Sequence, residues 1–241
     1  MIDDLGLAEA IVAVVFTAAA FVVSAAAGLG GSLLLVPALA TLLGTKEGVA
    51  LAALLLASNN VVKVWAYRAT VPWRQSSGVA ALTMVGTFVG AVLLVNAPDR
   101  LVTIAVVVAL VSAFAVERIA LSMPRPVSAA SALAAGATSG FSGSSGPLKG
   151  IALRALALDR RHLVGAAALV SFLGDATKAT VFADAGLLGA PAYTLAVFLV
   201  PVMIGGTYAG RRLNKVVGEQ GYNVLFWTVM SGYSIRLIAA A

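Results

Sequence analysis

The sequence predicts an all-α polytopic membrane protein of two inverted repeats, each a re-entrant broken-helix hairpin plus three transmembrane helices. The first observation is composition, because 61 % of the residues are hydrophobic and only 11 % are charged. A soluble domain carries roughly 25 % charged residues to wet its surface, so most of this chain must face lipid. The second observation is a pattern of helix breaks and buried lysines that occurs twice along the chain.

The apolar segments fall into two length classes. A spanning helix needs about 20 residues, with a range of roughly 17–25. The segments close to that length are 49–67, 79–95, 101–116, 163–182, 192–210 and 222–240. The shorter ones form two pairs that flank glycine- and serine-rich breaks, namely 11–26 with 33–43 and 128–138 with 148–158.

The two breaks resemble each other. The first reads Gly28-Leu29-Gly30-Gly31-Ser32 and is followed by Pro37, and the second reads from Gly140 to Pro147. Broken helices in corresponding positions of two halves indicate a transporter binding site near the membrane midplane.

Three motifs recur at slowly growing offsets, which indicates a duplicated unit with small insertions. Gly28-x-x-Gly31 matches Gly140-x-x-Gly143 at 112 residues (140 − 28), and Asn60-x-x-Lys63 matches Asp175-x-x-Lys178 at 115 (175 − 60). Gly86-x-x-x-Gly90 matches Gly206-x-x-x-Gly210 at 120 (206 − 86), and both suit close helix–helix contact. We therefore predict repeat 1 over residues 1–122 and repeat 2 over 127–241 of one membrane domain, joined by the proline-containing linker 122–126.

Loop charges distinguish two topologies for the broken pairs. If each pair is a hairpin that enters and leaves on one side, all basic loop residues lie on one side of the membrane except Lys46, Arg100 and Arg236, which lie on the other. If each pair is a kinked crossing, the basic residues divide more evenly, contrary to the positive-inside rule. The hairpin topology leaves three crossings per repeat, so the repeats are inverted. It places a multi-pass protein in the cell (inner) membrane with both termini outside the cytoplasm.

Lys63 and Lys178 lie inside apolar segments of spanning length, where a charge costs about 2.5–3.5 kcal/mol on insertion scales. Asn59, Asn60 and Lys63 share a helix face, as do Asp175 and Lys178 with Ser171. The alternative is that each lysine extends to the headgroups. Asp175 either neutralises Lys178 or takes up a proton and couples transport to the proton gradient.

The breaks supply a second kind of anion-binding group, because a helix that begins there presents unpaired N–H groups and the positive end of its dipole. The sequence thus predicts a pocket for a small anion. Its candidate residues are Lys63, Lys178, Asn59, Asn60, Asp175, Gly30, Gly31, Ser32, Ser142, Gly143 and Ser144. A chain with no cysteine and one histidine offers no evident metal site, and its basic residues lie in short loops rather than on a nucleic-acid-binding face.

With the paired breaks, the prolines after them and the Asx-x-x-Lys pairs in view, the sequence resembles the TauE/SafE family of sulfite and organosulfonate exporters. The resemblance covers nearly the whole chain. It implies secondary transport of sulfite, or of a sulfonate such as taurine or sulfoacetate, out of the cytoplasm without a bound cofactor. It also implies that Gly30, Gly31, Ser32, Ser142, Gly143 and Ser144 form the breaks beside Lys63 and Lys178.

Other functions remain open at this stage. The same pocket suits an anion channel. A further hypothesis is that the protein is an assembly subunit that does not itself transport an anion. An intramembrane serine protease would need Ser142 as nucleophile and His162 as base. Beyond the anion and the bilayer, the sequence leaves a homodimer and proton coupling as alternatives.

Overall fold

The computed structural model describes residues 11, 14–15, 17–22, 31–119 and 127–213. Within these residues the chain is helical with no strand, as the sequence predicts. Positions 14–15 and 17–22 are helical. The helices that follow are α1 (Ser32–Leu43), α2 (Thr45–Ala66), α3 (Trp73–Asn96), α4 (Asp99–Ile119), α5 (Val127–Ser142), α6 (Gly146–Arg154), α7 (Arg160–Asp184) and α8 (Ala190–Leu213). The predicted linker 122–126, segment 222–240 and both termini lie outside the described residues.

The described helices differ in length, and three of the six segments predicted to span a membrane, 49–67, 79–95 and 163–182, correspond to helices that are long and apolar enough to do so. Among the described residues, three helices are long and apolar enough to cross a membrane: Thr45–Ala66, Trp73–Asn96 and Arg161–Asp184. By contrast, α1 has 12 residues and α6 has 9. At 1.5 Å per residue these two half-helices reach only about 18 and 14 Å, well short of a hydrocarbon core about 30 Å thick.

Both half-helices begin at the predicted breaks. Helix α1 starts at Ser32, directly after Gly31. Between α5 and α6, Gly143 has φ +77°, and a Cβ there would press on the Val36 side chain of α1. The second break therefore needs glycine for both its backbone conformation and its packing.

The outward-facing sides of the helices are apolar, whereas their inward-facing sides carry both apolar and polar residues. This arrangement is expected of a bundle of membrane-spanning helices. On α4, Leu101, Ile104, Val108 and Val111 form an exposed apolar stripe at helical spacing. On α3 the exposed side carries Val85, Phe88, Val89 and Leu93, whereas its buried side includes Ser76, Thr83 and Thr87. Large apolar side chains thus cover the outside, and hydroxyls lie within.

The closest helix contact joins α3 and α5 through glycines. A Cβ on Gly86 would collide with the Leu133 carbonyl oxygen, and one on Gly90 with the Ala137 carbonyl oxygen. Gly136 and Gly140 of α5 meet the α3 backbone equally closely. The predicted role of Gly86-x-x-x-Gly90 is confirmed, and its partner is a second small-residue pair that the sequence analysis did not identify. Gly206 packs against Ala18 and Phe21.

One end of the bundle brings together the starts of several helices. A buried cluster joins Val79 and Ala80 of α3, Ala132 of α5, Ala152 and Leu153 of α6, and Ala166 and Val170 of α7. At the same end, Gly165 of α7 packs on Thr70, in the turn between α2 and α3. The end of α6 therefore lies level with the start of α5, so α6 runs back alongside α5.

The α2–α3 turn and the start of α7 have features typical of a membrane interface. Trp65 and Trp73 are exposed there, and the Arg68 guanidinium lies 4.7 Å from the Trp65 ring. Asp159 caps α7 by accepting hydrogen bonds from the backbone N–H groups of Arg161 and His162. These bonds, first that of His162, hold the pKa of the Asp159 carboxyl below its ordinary value.

Candidate functional site

A cavity lies where the two breaks meet the middle of α2, α3 and α7. It encloses about 500 Å³, its open mouth included. Residues before position 120 on its wall are Gly31, Ser32, Leu56, Asn60, Lys63 and Thr83. Later residues are Ser139, Gly143, Ser145, Lys149, Val170, Ser171, Gly174 and Asp175. Both halves of the chain therefore contribute to it.

Lys178 is buried behind the cavity wall, with 1 % of its surface exposed. Its ammonium lies 2.8 Å from Asp175 Oδ1 and donates to Ser139 Oγ at 3.2 Å and to the Gly143 carbonyl oxygen at 3.1 Å. An ammonium has three N–H donors, and all three are used here. Lys178 thus ties α7 to the second break, and it does not extend to the protein surface.

Asp175 joins α7 to α2 as well. Its Oδ2 accepts a hydrogen bond of 2.7 Å from Asn60 Nδ2, while Oδ1 pairs with Lys178. Both oxygens of this buried carboxylate therefore have partners, and its charge is balanced by Lys178. Of the two roles that the sequence left open, this geometry matches neutralisation of Lys178.

Two other lysines face the cavity with donors to spare. Among the described residues, the half-buried Lys63 ammonium has no hydrogen-bond or ion-pair partner. Lys149 of α6 donates to Ser171 Oγ at 2.8 Å, which leaves two of its three N–H groups. Because Ser171 accepts this bond, its own O–H is free to donate to something else.

The starts of the two half-helices approach each other beside these lysines. Ser32 Oγ and Ser144 Oγ are 3.3 Å apart. Neither α1, preceded by Gly31, nor α6, preceded by Ser145, has a side-chain cap hydrogen bond. Gly31, Ser32, Gly143 and Ser145 also line the cavity, so two helix N-termini border it with their positive dipole ends.

The structure divides the predicted site residues into two groups. Gly31, Ser32, Asn60, Lys63, Gly143 and Asp175 line the cavity. Asn59, Ser142, Ser144 and Lys178 are buried but do not line it, and Gly30 lies outside the described residues. Lys178 does not line the cavity because its N–H groups donate to Ser139 and to the Gly143 carbonyl oxygen of the second break.

Sequence reasoning missed several polar residues on the cavity wall. Lys149 is the most important of them, together with Ser139, Ser145 and Thr83. Lys149 has no lysine at a corresponding position after the first break, so comparison of the repeats did not single it out. Its position three residues after Gly146, on a short helix that starts at a break, was the available signal.

The residues of the protease alternative have other partners. Ser142 Oγ donates to the Thr138 carbonyl oxygen at 2.8 Å, and the residue is buried. His162 is exposed on the first turn of α7, with Nδ1 2.7 Å from Asp159 Oδ2. A nucleophile and its base must be within hydrogen-bond reach, and the contacts described for Ser142 and His162 do not join them.

Comparison with known proteins identifies the family. No curated protein and no solved structure matches the chain. The family model described as "Sulfite exporter TauE/SafE" matches residues 11–237, which is nearly the whole sequence. On that match, and in agreement with the apolar helices of the fold, the chain belongs to the TauE/SafE family of membrane sulfite exporters.

Proposed function

We propose that this protein is a secondary transporter that moves a small anion, sulfite or an organosulfonate, out of the cytoplasm and holds it near the membrane midplane in the cavity. The observation that carries the proposal is the distribution of donors on the cavity wall. Lys63 and Lys149 offer unused N–H groups, whereas the cavity's carboxylate, Asp175, already has partners on both oxygens. Such a wall favours a negatively charged ligand.

The helix N-termini add to this preference. An anion in the cavity would meet the uncapped starts of α1 and α6 as well as the hydroxyls of Ser32 and Ser145. Helix N-termini stabilise negative charge through their dipoles and free N–H groups. In transporters built from inverted repeats, discontinuous helices serve this purpose at the midplane.

Inverted repeats with re-entrant hairpins are part of the proposal, and two observations support them. First, α6 runs back alongside α5, since Leu153 shares a buried cluster with Ala132. Second, Ser32 contacts Ser144 and Asn60 contacts Asp175, at separations of 112 (144 − 32) and 115 (175 − 60) residues. These equal the sequence offsets between the repeats, as expected where equivalent positions meet across a pseudo-two-fold axis.

The two equivalent lysines stand in different environments, which is the asymmetry that alternating access requires. Lys63 lines the cavity, whereas Lys178 is buried and does not line it. Val170 and Ser171 of α7 line the same cavity.

Transport assays on purified protein in liposomes test the proposal. Sulfite should accumulate against its gradient when an ion gradient is applied, which a channel is unable to do. Lys63→Gln should lower the transport rate about tenfold or more, because a charge-assisted bond contributes about 1.5–3 kcal/mol. Arg74→Gln is the matched control, since Arg74 is an exposed cation at the start of α3.

The outcomes separate the alternatives. Sulfite flux that only dissipates gradients would indicate a channel. Absence of any flux or binding for sulfite and sulfonates would contradict the proposal, as would a Lys63→Gln variant that transports like the Arg74→Gln control.

A further inference from the structure

The number of unpaired charges in the cavity bears on the charge of its ligand. Lys178 and Asp175 are both buried and form an ion pair 2.8 Å apart, so together they contribute no net charge. Lys63 and Lys149 remain, and among the described residues neither forms an ion pair. With both ammonium groups protonated, the cavity presents two positive charges that a ligand can balance.

The two lysines reach the cavity from different parts of the fold. Lys63 belongs to the long helix α2 of the first half, and Lys149 belongs to the half-helix α6 of the second. Lys149 is held in place by Ser171, whose hydroxyl is then oriented to donate elsewhere. A compact oxyanion between them would receive one ammonium from each half and a hydroxyl donor from α7.

Leaving either ammonium unbalanced in this setting is costly. The cavity lies among helices whose outer faces are apolar. An uncompensated charge in a medium of low dielectric is penalised far more than one in water. A ligand with one negative charge would satisfy one lysine and leave the other, whereas a ligand with two would neutralise both.

We propose that the site selects doubly charged oxyanions over singly charged oxyanions of the same shape, and that Lys149 is the residue that confers this selectivity. The proposal rests on the function proposed above and narrows its substrate class. Deprotonated sulfite carries two negative charges, a simple sulfonate carries one, and taurine adds an ammonium. The site is thus expected to favour the inorganic dianion over the organosulfonates.

Lys149 rather than Lys63 is assigned this role because of the asymmetry between the halves. The position equivalent to Ser171 in the first half, 115 residues earlier, is Leu56, which also lines the cavity (171 − 115). The first half therefore lacks both the second lysine and the hydroxyl that orients it. The lysine of the long helix is common to both repeats, as Lys63 and Lys178, whereas Lys149 on α6 has no counterpart in the first half.

The test uses the full-length protein in neutral detergent and two probes of nearly equal size. Sulfate and methanesulfonate are both tetrahedral at sulfur and differ by one oxygen anion against a methyl group. Dissociation constants are measured by calorimetry at matched ionic strength, because screening alters such differences. Wild-type protein should bind sulfate about tenfold or more tightly than methanesulfonate.

Substitutions test which residue confers the preference for sulfate over methanesulfonate. Lys149→Gln should lose most of the sulfate preference, because it weakens sulfate binding much more than methanesulfonate binding. Lys149→Arg keeps the charge and should retain the preference, and remaining methanesulfonate binding by Lys149→Gln shows that this variant is folded. Arg74→Gln removes an exposed cation and should leave both affinities unchanged.

Each result decides a separate point. Equal affinities for the two probes in wild-type protein would overturn the charge selectivity but leave anion binding intact. An unchanged preference in Lys149→Gln would overturn the role of Lys149. Failure to bind either probe, together with failure to bind sulfite, would remove the proposed function itself.

Discussion

At the scale of single residues, two lysines that look equivalent in sequence have different surroundings. Lys63 and Lys178 each follow an Asx residue by three positions in an apolar segment. In the structure, Lys178 uses its three donors within the protein, whereas Lys63 faces the cavity without a partner among the described residues. Lys178 therefore holds the elements of the site together, and Lys63 is available to a ligand.

This difference predicts opposite effects on stability. Lys178→Met removes one partner of a buried ion pair and leaves Asp175 uncompensated, which typically costs about 3–5 kcal/mol. Adding Asp175→Asn to that variant should recover much of the loss, because the remaining side chains are then neutral. The free energy of unfolding, measured by denaturation in mixed detergent, checks both statements.

Lys63→Met serves as the control for this comparison. It removes an unpaired, half-buried charge, so stability should stay the same or rise while anion binding weakens. Equal destabilisation by Lys63→Met and Lys178→Met would contradict the assignment.

At the scale of elements, the glycines of α3 and α5 determine how closely the second break approaches the cavity. Gly86 and Gly90 contact the α5 backbone directly, and Gly140, two residues before the end of α5, contacts α3 in return. The second break follows immediately at Gly143. This packing consequently positions Ser139 and Gly143, the two residues of the break region that bind Lys178.

Substitution of one of these glycines tests that dependence. Gly90→Ala places a methyl group against the Ala137 carbonyl oxygen, where backbone has to move. We expect a loss of about 1–3 kcal/mol in stability and weaker anion binding. Gly78→Ala is the matched control, because it lies on the same helix with nothing within 4 Å of the added Cβ, and helix propensity there favours alanine. Similar losses in the two variants would show that the glycine contact has no special role.

At the scale of the whole molecule, the path of α6 distinguishes a hairpin from a kinked crossing. Because α6 runs back alongside α5, the loop after α6 should emerge on the same side as the α2–α3 turn, which packs on α7 through Thr70 and Gly165. A kinked crossing would place these two loops on opposite sides.

The chain has no cysteine, so single cysteines report this topology without background. Ala69→Cys and Ala157→Cys, both at exposed positions, should react with an impermeant maleimide from the cytoplasmic side. Asn96→Cys, at the other end of α3, should react from the opposite side. Labelling of positions 69 and 157 from opposite sides would exclude the hairpin.

Relative movement of the two breaks is a further expectation at this scale. Ser32 Oγ and Ser144 Oγ are 3.3 Å apart, close enough for a disulfide of about 2.05 Å after small adjustments of the side chains. The double variant Ser32→Cys/Ser144→Cys should lose transport on oxidation, regain it on reduction and bind anion in both states. Undiminished transport by the oxidised protein would mean that these half-helices do not separate during the cycle.

Much of the architecture follows from patterns that the sequence displays directly. Low charge content requires lipid around the chain, and glycine, serine and proline interrupt the apolar segments where α1 and α6 begin. The positive φ at Gly143 and the close helix contact at Gly90 both require glycine. The glycines in the sequence therefore already indicate these features. The matching offsets of the two halves also indicated which residues to compare.

The sequence by itself determined that this protein is an α-helical membrane protein with two helix breaks, each followed along the chain by a lysine in an apolar segment, because hydropathy and glycine content act locally along the chain. Only the tertiary structure decided which lysines remain available. Lys178 is occupied by Asp175 and Gly143, and Lys149 joins Lys63 at the cavity. Hydrogen-bond donors are used up by groups that folding brings together from distant parts of the chain, and no spacing within one helix specifies those partners.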